Sequence, residues 1–282
     1  MAKYAKGCRF DLPRHRTQKD ARLALPRVAV LPDSASLEAF EYRPILDQND
    51  CGSCTGHGTA QGIFVAMAAE GHPLGFLPSP KSIYALGRGL TRAADHAKDK
   101  TLPPLTDDGA FPADVMRAIS EFGVAPMQGP SPKGFNTDVD PSNVASEPNL
   151  GALIAAAKSL VVGEYRIDEK APDFIRQVCA ALSSGGSAGR GVPVGIGVFV
   201  DQEFENWLPE DGPLSHVDLA DPNGGGHWLV ITSYRTDNVG RRVFRGPNSW
   251  TDGWGDKGHF EVTDGWLRAA CSDCYPFTVR LA

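Results

Sequence analysis

From Ser53 to Ala69 small residues (Gly56, Gly58, Ala60, Gly62) are interleaved with apolar ones (Ile63, Phe64, Ala66, Met67), and the run stops at Gly71 and Pro73. That pattern predicts a buried helix with a glycine stop. Weaker helical patterns cover Ser82 to Leu90 and Ala113 to Glu121, the second ended by Gly123. Beyond a stretch rich in Pro, Gly, Ser and Asn from Gln128 to Pro148, an Ala-rich helix is expected near Leu150 to Lys158. Another is expected at Pro172 to Leu182, ahead of Gly185 and Gly186. The pattern then changes to strands at Val192 to Val200, Trp228 to Tyr234, Arg242 to Arg245 and His259 to Thr263. All five tryptophans (207, 228, 250, 254, 266) fall in this part. A helical half followed by a strand-rich half predicts α+β architecture, with two lobes and a cleft between them. No internal repeat interrupts that division.

Composition narrows the class. With 282 residues, 41% hydrophobic and 22% charged, the chain can build a real core and is not intrinsically disordered as a whole. Gly 31 and Pro 22 imply ordered loops between short elements and argue against a helical bundle. The longest apolar candidate, Leu150 to Val162, is broken by Lys158, so no membrane span is expected. Lys3, Lys6 and Arg9 stand where an export signal needs an unbroken apolar run, which makes the cytoplasm the default location. The net charge of −6 disfavours nucleic-acid binding, and a monomer is expected. Charge is unevenly spread: residues 1 to 30 carry +6 and the remainder −12. This basic arm holds Pro13 and Pro26 and too little apolar pattern for a core of its own. A plain tail and a docked arm lying in or across the cleft both fit it.

The segment that carries chemistry is Gln48-Asn49-Asp50-Cys51-Gly52-Ser53-Cys54. Cys54 sits in the first turn of the expected helix, where unpaired backbone N–H groups and the macrodipole favour a thiolate. Gln48, six residues earlier, can turn its side-chain amide toward an oxyanion beside the Cys54 N–H. A thiolate nucleophile needs a base. His15 lies in the arm, His72 and His96 lie in polar turns, and His57 is held one turn along the same helix. His227, opening a strand after Gly224-Gly225-Gly226, is the best candidate. Asn248, ahead of Ser249 and Trp250, can orient the His227 ring through its amide oxygen, with a tryptophan shielding that bond.

These residues resemble the papain family of cysteine peptidases, whose local signature Cys-Gly-Ser-Cys is met at Cys51 to Cys54. The resemblance runs from about Leu31 to Leu267. It implies a papain-like two-lobed α+β fold, with a helical lobe at about 40–130 and an antiparallel β-barrel-like lobe at about 131–282. Residues 1–30 would then precede the peptidase domain as an inhibitory pro-segment. It also implies an endopeptidase that acts on peptides or proteins through a thioester, with Cys54, His227, Asn248 and Gln48 catalytic and no cofactor or metal. Gly109, within Asp107-Asp108-Gly109-Ala110, together with Gly226 and Trp250, would bind substrate.

Three features depart from the family pattern. Thr55 stands where an aromatic residue is usual. Cys54 and His227 are 173 residues apart, against roughly 130–150 for the signature, which points to loops inserted at 128–149 and 202–222. Cys51 has no cysteine in the region that supplies its bridge in secreted relatives. Two CxxC pairs, Cys51 with Cys54 and Cys271 with Cys274, keep a redox or zinc-stabilised module open as the competing class. That module would leave Gln48, His227 and Asn248 unexplained. A transpeptidase or ligase using the same triad is a third reading. For Cys271 and Cys274, inert thiols, a local disulfide and a bridge to Cys8 or Cys179 all remain open.

Overall fold

A computed structural model describes residues 4–13, 19–21, 25, 30–99, 101–127, 160–163 and 165–281. Among the described residues the α-helices are, in chain order, α1 (Cys54–Ala69), α2 (Pro80–Asp95), α3 (Pro112–Phe122), α4 (Phe174–Ser184), α5 (Gln202–Glu205) and α6 (Asp264–Ala270). The strands are β1 (Lys19–Asp20), β2 (Ser34–Ser36), β3 (Leu160–Val162), β4 (Tyr165–Arg166), β5 (Val194–Val200), β6 (Gly225–Ile231), β7 (Ser233–Thr236), β8 (Arg242–Pro247), β9 (His259–Thr263), β10 (Cys271–Pro276) and β11 (Val279–Leu281).

Thirteen of the sixteen α1 residues are buried, so this helix has no polar face to turn outward. Its small residues set how closely it packs. A Cβ added at Gly56 would lie 2.4 Å from the Pro80 carbonyl oxygen, one at Gly58 2.6 Å from the Trp228 ring, and one at Gly62 2.3 Å from the Phe277 ring. The glycines therefore let α1 approach α2 on one side and the strand-bearing half on the other. Ser79 caps α2 by accepting the Ser82 N–H at 3.2 Å, with Pro80 in the first turn, and the helix runs five residues past its expected end. Gly123, at φ 74°, stops α3.

The strand-rich half is built from antiparallel sheets, β10-β5-β6 and β2-β7-β8-β9. The expected barrel does not close among the described residues. The single strand expected over Trp228 to Tyr234 is two strands, broken at Thr232. There the backbone N–H turns from the β5 ladder to the Arg245 carbonyl on β8, at 3.0 Å. Buried Glu41 pins this corner, accepting the Thr232 hydroxyl at 2.7 Å and contacting His259 Nε2 at 2.8 Å. Side-chain alternation along β6 then serves two cores: Leu229 and Ile231 pack with β5 and the tryptophan-rich side, while Trp228 and Val230 pack against α1. The expected helix near 150–158 and the expected insertion at 128–149 lie outside the described residues.

Residues of the basic arm reach both halves. Ala21 and Leu25 are buried in the tryptophan-rich core, and β1 pairs with β4. Tyr4 to Leu12 run elsewhere, along the groove over α1.

The packing of α1 reverses the usual helix preference for alanine over glycine. Gly62→Ala, which gains about 1 kcal/mol in a solvent-facing helix, should instead lose about 1–3 kcal/mol here by driving a methyl group into Phe277. Urea unfolding of the two proteins measures the difference, and a more stable variant would contradict the packing.

Candidate active site

Cys54 is the first residue of α1 and is fully buried. Burial pushes its thiol up to about 11, opposed by backbone N–H groups of Trp228, Gly7, Thr55 and Cys54 itself that point at the sulfur. The Trp228 N–H belongs to the residue after His227, so β6, the strand that carries the imidazole, packs directly against the start of α1. His227 Nε2 meets Asn248 Oδ1 at 2.7 Å, and among the described residues its Nδ1 has no hydrogen-bond partner. Burial drives the imidazole down to about 4, Asn248 opposing and the Lys6 ammonium adding to the fall. The same Asn248 oxygen accepts the Ser249 N–H at 2.7 Å. Trp250 stacks on the His227 ring with centroids 4.6 Å apart, covering the imidazole from water.

Gln48 is buried and its amide is fixed at both ends. Its Oε1 accepts the Ser249 hydroxyl at 2.5 Å. Its Nε2 donates to the Cys51 carbonyl at 2.8 Å and to the Ala5 carbonyl at 3.0 Å. The structure thus gathers Cys54, His227, Asn248 and Gln48 at one end of the groove. Ser249, which the sequence offers only as a neighbour of Asn248, sets the aim of Gln48.

The three residues expected to bind substrate carry the arm. Cys8 donates its N–H to the Gly226 carbonyl at 3.0 Å, and a Cβ on Gly226 would lie 2.0 Å from the Cys8 carbonyl oxygen. Ala110, beside Gly109, donates to the Gly7 carbonyl at 2.9 Å and accepts the Arg9 N–H at 3.0 Å. Gly109 has φ +83°, and a Cβ there would meet the Gly7 oxygen at 2.4 Å. Tyr4 stacks on Trp250 at 4.3 Å, and Lys6 forms a buried ion pair with Glu205 while donating to the Asn223 carbonyl at 2.8 Å. The groove holds extended polypeptide by its backbone.

Behind the groove, Tyr84 and Asp107 tie its two walls together. The Asp107 carboxylate accepts the Gly52 N–H at 3.0 Å and the Tyr84 hydroxyl at 2.7 Å, and that hydroxyl accepts the Gly109 N–H at 3.1 Å. The network joins the loop ahead of Cys54 to the segment that holds peptide backbone. No disulfide joins any of the six cysteines. Cys51 and Cys54 lie at the start of α1 and Cys271 and Cys274 on β10, and among the described residues no group of three or more His, Cys, Asp or Glu is arranged to hold a metal ion. His57 packs within α1, its Nδ1 3.1 Å from the Ser53 carbonyl.

This combination of a buried α1 threaded between helices and antiparallel sheets, with Cys54 at the start of α1 and His227 on the strand β6 packed against it, is the papain-like cysteine protease fold. The chain is similar to xylellain, a cysteine protease from Xylella fastidiosa, with a TM-score of 0.68 and 20% identity over 98% of this chain and 97% of that one. It is similar to procathepsin B S9 from Trypanosoma congolense, with a TM-score of 0.65 and 16% identity over 97% and 86% of the two chains. In sequence it is 24% identical over 257 residues to the cathepsin B-like CP3 of Giardia intestinalis, covering 86% of this chain and 74% of that protein. No family model matches the chain.

Tyr84→Phe leaves the Gly109 N–H without its partner and takes from Asp107 Oδ1 the stronger of its two donors, the Gly52 N–H at 3.2 Å remaining. It should cost about 1–3 kcal/mol of stability, measured by urea unfolding; a stability equal to that of the parent would mean the tie carries no weight.

Proposed function

We propose that this protein is a cysteine endopeptidase whose cleft is filled by its own N-terminal segment. The observation that carries the reading is the shared placement of a helix-start thiol, a His227–Asn248 pair and a Gln48 amide whose Nε2 donates to a peptide carbonyl. In catalysis His227 takes the Cys54 proton, the thiolate attacks a substrate carbonyl, and Gln48 with the Cys54 N–H stabilises the tetrahedral oxyanion. The carbon–nitrogen bond breaks as His227 returns the proton to the leaving amine, giving a thioester. Water, deprotonated by His227, then releases the acid, while Asn248 keeps the ring oriented. The relatives' names, a cysteine protease and cathepsin B-like proteins, support the same class.

The arm opposes this chemistry in two ways. It occupies the backbone positions at Gly226 and Ala110, and by burying the pair it favours the neutral thiol and neutral imidazole. With Cys54 near 11 and His227 near 4, both groups are uncharged at neutral pH. Removing the arm admits water and removes the Lys6 charge, so the thiol falls, the imidazole rises and the reactive ion pair becomes accessible.

A chain beginning at Pro13 keeps Ala21 and Leu25 in the core and should cleave fluorogenic peptides at neutral pH faster than the full chain. In that shorter chain Cys54→Ala should abolish turnover, and full activity would overturn the assignment. Gln48→Ala should lower kcat by about 10² or more with little change in KM, as expected of an interaction made in the transition state. Asn248→Ala should lower kcat less than His227→Ala does; equal losses would assign Asn248 a structural role. Product masses separate hydrolysis from transfer of the acyl group to an amine.

A further inference from the structure

The arm seats Lys6 in a fitted pocket. Its ammonium meets the Glu205 carboxylate and donates to the Asn223 carbonyl at 2.8 Å. The stem of the side chain lies over Gly225, where an added Cβ would come 3.0 Å from the Lys6 Cδ. Both charges are buried, the Lys6 side chain 7% and the Glu205 side chain 3% exposed. A carboxylate held so far from water is costly without a cation opposite it.

The body builds this pocket by contacts in which the arm has no share. Asp201 caps α5 by accepting the Phe204 N–H at 2.9 Å, and Phe204 packs on Trp250, Trp254 and Trp266. Trp254 Nε1 donates to the Glu205 carbonyl at 3.0 Å, which fixes the backbone under the carboxylate. Asp221 ties the other wall to the same helix. Its Oδ2 accepts the Gln202 N–H at 2.7 Å and its Oδ1 the Asn223 N–H at 2.8 Å. The surrounding field has the same sign: from Gly191 to Tyr234 the chain carries seven carboxylates and no lysine or arginine.

We propose that Glu205 and the Asn223 carbonyl form a subsite for a basic side chain of the substrate, occupied here by Lys6, so that the cleft prefers a lysine or arginine directly after the scissile bond. The proposal rests on the groove being a peptidase cleft, and it names the class of peptide taken there. The position follows from the neighbours of Lys6. The preceding carbonyl, of Ala5, takes the Gln48 Nε2 donor that serves the oxyanion in the proposed mechanism. Tyr4 stacks on Trp250, which stacks on His227, so this stretch of the arm lies on the imidazole side of the groove. There the leaving amine takes its proton, and the residue that carries it has Glu205 within reach. An ammonium or a guanidinium satisfies both oxygens of the pocket and its charge. Glutamine offers donors without the charge.

Two measurements on the full chain separate the subsite from the chemistry. Both use Gly7→Ala, whose Cβ would lie 1.8 Å from the Gly52 carbonyl oxygen and so unseats the arm. With Cys54→Ala added, so that nothing is turned over, a fluorescent synthetic peptide of residues 4–12 should bind at least about tenfold more tightly than the same peptide carrying Lys6→Gln, and Glu205→Gln in the protein should bring that ratio near one. Equal binding of the two peptides, or no binding of either, overturns the subsite; if Glu205→Gln does not fold, the two peptides alone decide. With Cys54 intact, the Gly7→Ala chain is given a glutamyl-endopeptidase digest of a proteome, in which lysine and arginine remain internal, and the new termini are read by mass spectrometry. Relative to their frequency in the digest, lysine and arginine should exceed glutamine at least about tenfold at the first residue after the cleaved bond, and Glu205→Gln should erase the excess. Cleavage without that preference overturns the subsite and leaves the peptidase reading standing. Lysine-selective binding with no cleavage leaves the cation pocket standing and overturns the peptidase reading.

Discussion

Desolvation of one thiol organises this molecule. Cys54 begins a helix with no solvent-facing stripe, and the segment from Tyr4 to Arg9 closes the remaining side with backbone hydrogen bonds to Gly226 and Ala110. A sulfur placed so deeply stays protonated although several N–H groups point at it, because the burial penalty on an anion exceeds what those dipoles return. The imidazole opposite is held neutral by the same loss of water. In the proposed mechanism these groups make a nucleophile when wet; here they are packed as uncharged side chains.

The backbone of the arm, more than its charge, explains its grip. The ion pair that the described arm buries, Lys6 with Glu205, lies where salt screens little, while Arg9 and Asp108 meet at 3.6 Å with both side chains exposed. Glycines do the rest. Gly7, Gly109 and Gly226 stand where a single methyl group would strike backbone, so arm and walls approach to hydrogen-bonding distance over several residues.

Much of this was legible in the sequence where the signal is local. The small and apolar alternation from Ser53 to Ala69 marks α1, the strand over His259 to Thr263 has its expected bounds, and the Gln48 to Cys54 spacing puts the thiol at the helix start. What joins distant segments was not legible. Tyr84 and Asp107 are 23 positions apart, Gln48 and Ser249 201, and Asp11 and Tyr275 264; each is an ordinary polar residue until the fold brings its partner. The break of one expected strand into β6 and β7 depends likewise on Glu41, nearly 200 residues away from Thr232, and no periodicity within the strand encodes it. The basic arm read as one unit by charge divides in the structure, Tyr4 to Leu12 in the groove and Ala21 and Leu25 in the core, because its few apolar residues and not its charges decide where it packs.

The most direct measurement uses Gly7, where an added Cβ would lie 1.8 Å from the Gly52 carbonyl oxygen. Gly7→Ala in the full chain therefore cannot keep the arm seated, yet it alters no residue of the catalytic set. Labelling by an epoxide thiol probe at pH 7, with the modified residue mapped by mass spectrometry, should be confined to Cys54 and at least about tenfold faster in Gly7→Ala than in the parent, the ratio for about 1.4 kcal/mol of lost docking. Equal rates in the two proteins, or labelling spread over Cys51 and the β10 thiols, would contradict the view that the arm stores this site in an uncharged, closed form.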